Sequence, residues 1–197
     1  MPEAAETPIL ALWLPVVVAA AVTMVLSTLA WTALPHHKPD MQQHPEADDF
    51  AAQIKDRATP PGVYYFPAYG TPKEPGPHMK AGPWGTINIY PSAPNVGRNI
   101  GLTLLALLVI AVFVGYLTGQ ACSPGADASR VFQIAMTNAV LCHVFGGALN
   151  GIWFGKRLRF FITDAIDGLV YSAATGACFA LLWPAAQPAI DTIAAAT

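Results

Sequence analysis

The sequence contains four long apolar stretches, each close to the length that a helix needs to cross a lipid bilayer. They cover residues 9–34, 100–119, 131–154 and 162–183. A spanning helix needs roughly 20 mostly apolar residues to cross about 30 Å of hydrocarbon. Only the fourth stretch carries charged residues, Asp164 and Asp167, and both lie near its start. The pattern predicts an all-α membrane protein with four transmembrane helices.

The composition agrees with this fold class. Only 11% of the residues are charged, whereas soluble domains average about 25%. This deficit of charged residues predicts that the lipid bilayer surrounds the helices. The net charge of −2 is too small to suggest a nucleic-acid partner. The three cysteines form no disulfide framework and have no metal-site or haem-site spacing. No cofactor is therefore predicted from the cysteines.

The basic residues predict an orientation. Residues 35–99 hold six lysines and arginines and residues 156–159 hold three, so these two segments contain nine of the ten. With four crossings they share one side, and the positive-inside rule makes that side cytoplasmic. The first stretch follows an acidic head without lysine or arginine, which predicts a retained anchor and not a cleaved signal. We expect a multi-pass membrane protein with both termini outside.

Four segments follow from this topology. Residues 1–34 form the outer N-terminus and the first helix, residues 35–99 a cytoplasmic insertion, residues 100–185 the remaining three helices, and residues 186–197 an outer tail. The insertion contains 12 of the 18 prolines. Within it, residues 46–58 have helical apolar spacing, while residues 63–66 and 86–90 are rich in β-branched and aromatic side chains. A short helix plus a β-hairpin is predicted between the first two spans.

Aromatic side chains cluster in this hairpin. Such rings combine an apolar body with a polar tip, which suits a membrane surface as well as a protein interface. Both interpretations are retained. The candidate interface residues are Tyr64, Tyr65, Phe66, Trp84 and Tyr90.

Small residues recur every fourth position in the last two apolar stretches. In lipid, helices associate largely through close backbone approach at such residues. The two stripes predict a tightly packed antiparallel helix pair, or else contacts to another subunit. The stripes are Gly147, Gly151 and Gly155 in the third stretch and Gly168, Ser172 and Gly176 in the fourth.

Polar residues within the apolar stretches are candidates for chemistry, because polar groups in lipid are costly and often functional. His143 and Asn150 are seven residues apart and share one face of a continuous helix. They could serve a proton relay, a haem or quinone headgroup or a metal ion, or could bond only to a neighbouring backbone. Asp164 and Asp167 would complement the dipole at a helix start capped by Thr163, or admit an ion or proton.

The closest approach to a metal site lies after the first stretch and consists of His36, His37, Asp40 and His44. His36, Asp40 and His44 would align at successive helical turns if the first helix continued past the membrane. The prolines at positions 35, 39 and 45 oppose such a helix. The sequence contains no nucleophile motif, phosphate loop or paired catalytic carboxylates, so no catalytic residue is predicted and a non-enzymatic role is favoured.

Three short motifs resemble one protein family. They are the runs PGVYYFP at 61–67, GPWG at 82–85 and DGLVY at 167–171. Together they are similar to bacterial four-helix integral membrane proteins for which no activity is assigned. The resemblance implies a bacterial origin and this topology, and it implies no activity.

Three functions fit these features. The first is a non-catalytic accessory or scaffold subunit of a larger membrane complex, such as an energy-converting, respiratory or photosynthetic assembly. The second is a small transporter or channel that uses His143, Asn150, Asp164 and Asp167. Because four helices rarely enclose a pore, it would work as a homo-oligomer. The third is a membrane redox or quinone-binding protein centred on His143.

Overall fold

The apolar stretches fold into long helices joined by short loops. The computed structural model describes residues 6–68 and 81–186. Residues 1–5, 69–80 and 187–197 lie outside the described part, and with them nearly all of the predicted outer tail. The helices are α1 (Trp13–Thr32), α2 (Ala47–Asp56), α3 (Val96–Ala121), α4 (Ala128–His143), α5 (Ala148–Trp153) and α6 (Leu158–Leu181); the strands are β1 (Gly62–Phe66) and β2 (Gly85–Ile89).

Three helical stretches among the described residues are long and apolar enough to cross a membrane. They are Ile9–Thr32, Val96–Ala121 and Ala128–Trp153, the last combining α4 with α5. The prediction of a mostly helical fold with a small two-stranded sheet is thereby confirmed, and the three apolar stretches support a membrane-embedded protein. The 24-residue α6 is as long as these stretches, but its first turns carry charged residues.

Side-chain caps set two of the helix starts. The Asn95 side-chain oxygen accepts a hydrogen bond from the Arg98 backbone N–H at 2.9 Å, and the Asp127 carboxylate accepts one from the Ser129 N–H at 2.9 Å. Each cap satisfies a donor that the first helical turn would otherwise leave unpaired. α3 and α4 therefore begin directly after Asn95 and Asp127.

The four long helices pack around one core. α1 contacts α3 and α6, and α4 contacts the same two helices. Small and branched side chains fill the centre, together with one aromatic ring. These fully or almost fully buried residues are Leu12, Val114, Val131, Ala135, Ala139 and Phe179.

Hydrogen bonds close one end of this bundle. The Thr7 N–H donates to the Gly119 carbonyl at 3.0 Å, and the Gly125 N–H donates to the Pro184 carbonyl at 2.8 Å. The Trp183 indole N–H adds a bond to the Ser123 carbonyl at 3.0 Å. The start of α1 therefore lies beside the end of α3, and the α3–α4 loop lies beside the end of α6. The four helices alternate in direction.

The helix predicted over residues 131–154 is interrupted. α4 ends at His143, and α5 begins only at Ala148. Gly146 and Gly147 fall in the gap, where glycine costs about 1 kcal/mol of helix stability relative to alanine. The prediction that His143 and Asn150 share one face of a continuous helix is therefore wrong.

The glycines of the two predicted stripes have different surroundings. A Cβ added at Gly168 would lie 2.7 Å from the His143 carbonyl oxygen, and one at Gly176 would lie 3.0 Å from the Met136 Cβ. The stripe on α6, which includes the buried Ser172, thus lies against α4. Around Gly147 and Gly155, by contrast, no atom lies within 4 Å of such a Cβ.

The insertion forms α2 and an antiparallel hairpin with Tyr64 opposite Ile87 and Phe66 opposite Gly85. Among the described elements, neither α2 nor the hairpin packs extensively on the long helices. The hairpin approaches α5 at a cavity of about 180 Å³ whose lining includes Phe66 and Trp153. The insertion is therefore largely exposed.

α6 begins earlier than the sequence suggested. Its first residue is Leu158, and the preceding Arg157 makes no side-chain cap. The prediction that Thr163 caps this helix is wrong, because Thr163 lies in its second turn. Residues 158–162, which are apolar except for Arg159, extend the helix toward the loop.

We expect a single methyl group added at Gly168 to weaken the packing between α4 and α6. Gly168→Ala should lower the free energy of unfolding by about 1–3 kcal/mol, because two backbones must separate to admit the Cβ. Gly101→Ala is the matched control: it lies in α3 with no atom within 4 Å of an added Cβ, so better helix propensity should leave stability unchanged or raised. Thermal unfolding in detergent measures both variants. A Gly168→Ala protein as stable as the Gly101→Ala protein would contradict this packing.

Candidate functional site

Two adjacent histidines leave the bundle just after α1. The helix ends at Thr32, and Pro35 begins a short 3-10 turn that runs to His37. Proline suits the first position of such a turn because it has no N–H to leave unpaired. The turn folds back against the first turns of α6, so His36 and His37 meet side chains that are about 130 residues further along the chain.

Asp167 of α6 connects both histidines. Its Oδ1 lies 2.9 Å from His36 Nε2, and its Oδ2 lies 2.9 Å from His37 Nε2. The Tyr171 hydroxyl donates to Oδ2 at 3.1 Å. Asp167 is buried, with 8% of its surface exposed. The Asp167 carboxylate therefore contacts three polar side chains at this end of the bundle, those of the two histidines and Tyr171.

A second carboxylate holds the other side of His37. Asp40 Oδ2 lies 2.9 Å from His37 Nδ1 and accepts a hydrogen bond from the Thr163 hydroxyl at 2.8 Å. The Arg159 Nε lies 3.1 Å from Asp40 Oδ1, and the Asp40 side chain is fully buried. Arg159 also donates to the His36 carbonyl at 2.7 Å. The short turn that carries His36 and His37, called the histidine turn below, is thus attached to α6 by an ion pair and by hydrogen bonds.

His37 lies between two carboxylates. A neutral imidazole has one N–H donor, so it can donate to Asp40 or to Asp167 but not to both. Burial lowers the pKa of His37, but its hydrogen bonds with Asp167 and Asp40 outweigh burial and hold that pKa above its ordinary value. Trp31 stacks on the same ring, with centroids 3.9 Å apart. The geometry favours a positive charge at this position.

The charge of Asp40 is stabilised by the groups around it. Burial alone would raise the pKa of this carboxyl, but the hydrogen bonds from Thr163 and His37 and the charge of Arg159 together lower it. Asp40 Oδ1 has no well-aligned hydrogen bond among the described residues, so it depends on the arginine for compensation. Asp40 is therefore ionised at neutral pH.

Two cavities reach this cluster. One of about 190 Å³ is lined by Trp31, His143, Lys156, Asp164, Asp167 and Tyr171, among others. The other is a mostly apolar groove of about 460 Å³ between α1 and α6, and its lining includes His36, Asp167 and Tyr171. Lys156 forms an ion pair with Asp164 beside the first cavity. Asp167 therefore faces both a polar and an apolar space.

The structure brings some of the sequence-selected residues to this site. His36, Asp40 and Asp167 lie within it. His143 lines the polar cavity, where its ring meets Tyr171 edge-on with centroids 6.0 Å apart. Asp164 lines the same cavity.

Other selected residues lie elsewhere. His44 is held locally, since its Nδ1 accepts from the Glu46 N–H at 3.1 Å and its ring stacks on Phe50. Asn150 lies in α5, beyond the interruption. Among the hairpin aromatics, the Tyr64 hydroxyl donates to the Pro60 carbonyl at 2.8 Å.

The sequence does not show that His37 is the centre of the cluster. Helical spacing selects His36, Asp40 and His44 and leaves His37 out of the aligned set. The basic cluster at 156–159 predicts an orientation, but it does not predict the pairing of Arg159 with Asp40. The available signal was the adjacent histidine pair between Pro35 and Pro39, where a tight turn can aim both rings in one direction.

No family model, curated protein or solved structure matches this chain.

Removing the arginine that faces Asp40 should loosen this end of the bundle. We expect Arg159→Gln to lower the Tm in detergent, because Asp40 Oδ1 would be buried without a compensating charge. Arg157→Gln is the control: it removes a basic residue two positions away, for which the described part of the chain shows no ion pair. Equal Tm values for the two variants would contradict the role given to Arg159.

Proposed function

We propose that this chain is a non-catalytic accessory subunit of a larger complex in a bacterial inner membrane, such as an energy-converting assembly. In this proposal α6 is the fourth span, both termini lie outside, and residues 35–99 lie in the cytoplasm. The basic cluster supports the orientation, since Lys156, Arg157 and Arg159 precede or open α6 at the end where the insertion begins. The function itself rests on the insertion.

The helix and the hairpin of the insertion have little cover within the part of the chain that the structure describes. α2 has no buried residue, although its apolar side chains lie on one side. A ten-residue helix and a two-stranded hairpin are each marginal in water when alone. Among the described elements, neither packs extensively on the bundle. A partner surface would supply the missing contacts, and this is the observation that carries the proposal.

The exposed hairpin is apolar enough to bind such a partner. Val63 is 66% exposed and Tyr90 is 64% exposed. Interface cores are enriched in aromatic and apolar side chains and depleted in charged ones. The membrane-facing sides of the helices, such as the exposed Leu105 and Phe113 of α3, offer further contact area to lipid or to neighbouring subunits.

Purification in mild detergent tests the proposal. The full chain should elute with a companion subunit in fixed ratio, and Val63→Glu should release that companion, because a charge would be buried at the interface. Met41→Glu is the control: Met41 is 72% exposed in the insertion but outside the hairpin, so this variant should retain the companion. A wild-type chain that elutes alone would contradict the accessory role.

A second function, a small cation or proton transporter, is favoured by one observation. The lining of the polar cavity of about 190 Å³ includes His143 from α4 and Asp164 and Asp167 from α6. Titratable groups around a cavity in a membrane protein are typical of ion and proton paths. Because four helices enclose little space, this function would require a homo-oligomer.

Flux into proteoliposomes separates this function from the accessory role. The transporter interpretation expects proton or cation flux that is lost in His143→Ala and in Asp167→Asn, since each removes a group that lines the cavity. His44→Ala, which alters a histidine outside the cavity, should leave flux intact. Flux that survives both cavity substitutions would remove this function, and it would leave the companion-subunit experiment unaffected.

A further inference from the structure

We propose that His36, His37 and Asp167 form a binding site for a divalent first-row transition metal ion at the end of the bundle. This inference goes beyond either proposed function, since a scaffold or a transporter could exist without it. Each residue offers one ligand atom, and the three atoms lie within 4.8 Å of one another. Two imidazoles and one carboxylate are a donor set that suits zinc.

The spacing of the ligand atoms fits such an ion. Both imidazole Nε2 atoms lie 2.9 Å from an oxygen of Asp167. Two ligands at about 2.0–2.1 Å from a tetrahedral zinc ion lie roughly 3.3 Å apart. Each histidine–carboxylate distance is therefore within a few tenths of an ångström of the spacing around such an ion, and all three ligand atoms lie within 4.8 Å of one another.

Asp40 can accept a hydrogen bond from the ring nitrogen of His37 that does not face the proposed metal ion. A ligating histidine commonly donates its second ring N–H to a carboxylate, which fixes the tautomer and makes the ligand more basic. His37 Nδ1 lies 2.9 Å from Asp40 Oδ2, so donation there leaves the Nε2 lone pair directed at the site. Asp40 is itself held by Thr163 and Arg159.

The surrounding charges are compatible with a cation. Two basic side chains beside the cluster are already paired, Arg159 with Asp40 and Lys156 with Asp164. Without a metal ion, the positive charge favoured at His37 compensates the buried carboxylate of Asp167; a bound divalent ion would displace the proton from the ligating imidazole and supply that compensation in its place.

The site also has access. Three protein ligands leave at least one coordination position for water or another molecule, as in open metal sites. The polar cavity and the apolar groove both reach Asp167. An ion could therefore enter without opening the helix bundle.

Titration of the full-length protein in detergent with Zn²⁺, after treatment with chelator, tests the site. We expect one equivalent to bind, with Mg²⁺ failing to compete because it prefers oxygen ligands. His36→Ala, His37→Ala and Asp167→Asn should each weaken binding by more than about 100-fold. Asp40→Asn should weaken it by about 10–100-fold, as expected for an outer partner. His44→Ala is the matched control and should bind as tightly as wild type.

Substitution of Co²⁺ into the wild-type protein tests the geometry without any variant. Visible absorption bands typical of four- or five-coordinate cobalt should appear with one equivalent and should disappear when Zn²⁺ is added. Failure to bind one equivalent, an octahedral spectrum, or equal weakening in His36→Ala and His44→Ala would overturn the proposal. Because these readouts need neither a companion subunit nor flux, they fail independently of the proposed functions.

Discussion

The carboxylate of Asp167 is the interaction on which one end of this molecule depends. It lies on α6, yet both of its oxygens are directed at histidines that follow α1, at 2.9 Å each. A buried acid is costly unless it is paired, so the fold keeps the histidine turn and α6 together. The polar cavity, the apolar groove and the start of the insertion are all positioned by that contact.

The rest of the bundle depends on close helix packing. At Gly168 the backbones of α4 and α6 approach so closely that a Cβ would lie 2.7 Å from a carbonyl oxygen. The approach also brings His143, the last residue of α4, beside Asp167 and Tyr171. The close packing of α4 against α6 at Gly168 thus determines which titratable groups border the polar cavity.

Much of the architecture could be predicted from hydrophobic length and turn residues, because these signals are local. These signals predict the helices, the hairpin strands and the short amphipathic helix. They do not predict the interruption after His143, because Gly146 and Gly147 lie within a continuous apolar run. The site can be predicted only in part: His36, Asp40 and Asp167 are selected from the sequence, but the sequence does not show that His36 meets Asp167 or that Asp40 meets Arg159. Helical periodicity cannot report contacts between residues 130 positions apart.

The two ends of the bundle are closed by different chemistry. Near Thr7 and Trp183 the bonds join neutral backbone carbonyls to N–H groups, which neither protons nor dissolved ions alter at ordinary pH. Near His37 the bonds join imidazoles, carboxylates and a guanidinium, whose strength depends on ionic surroundings. The two ends of the bundle therefore differ in their response to solution conditions. A change in pH or ionic strength acts on the bonds around His37 and leaves the neutral bonds around Trp183 in place.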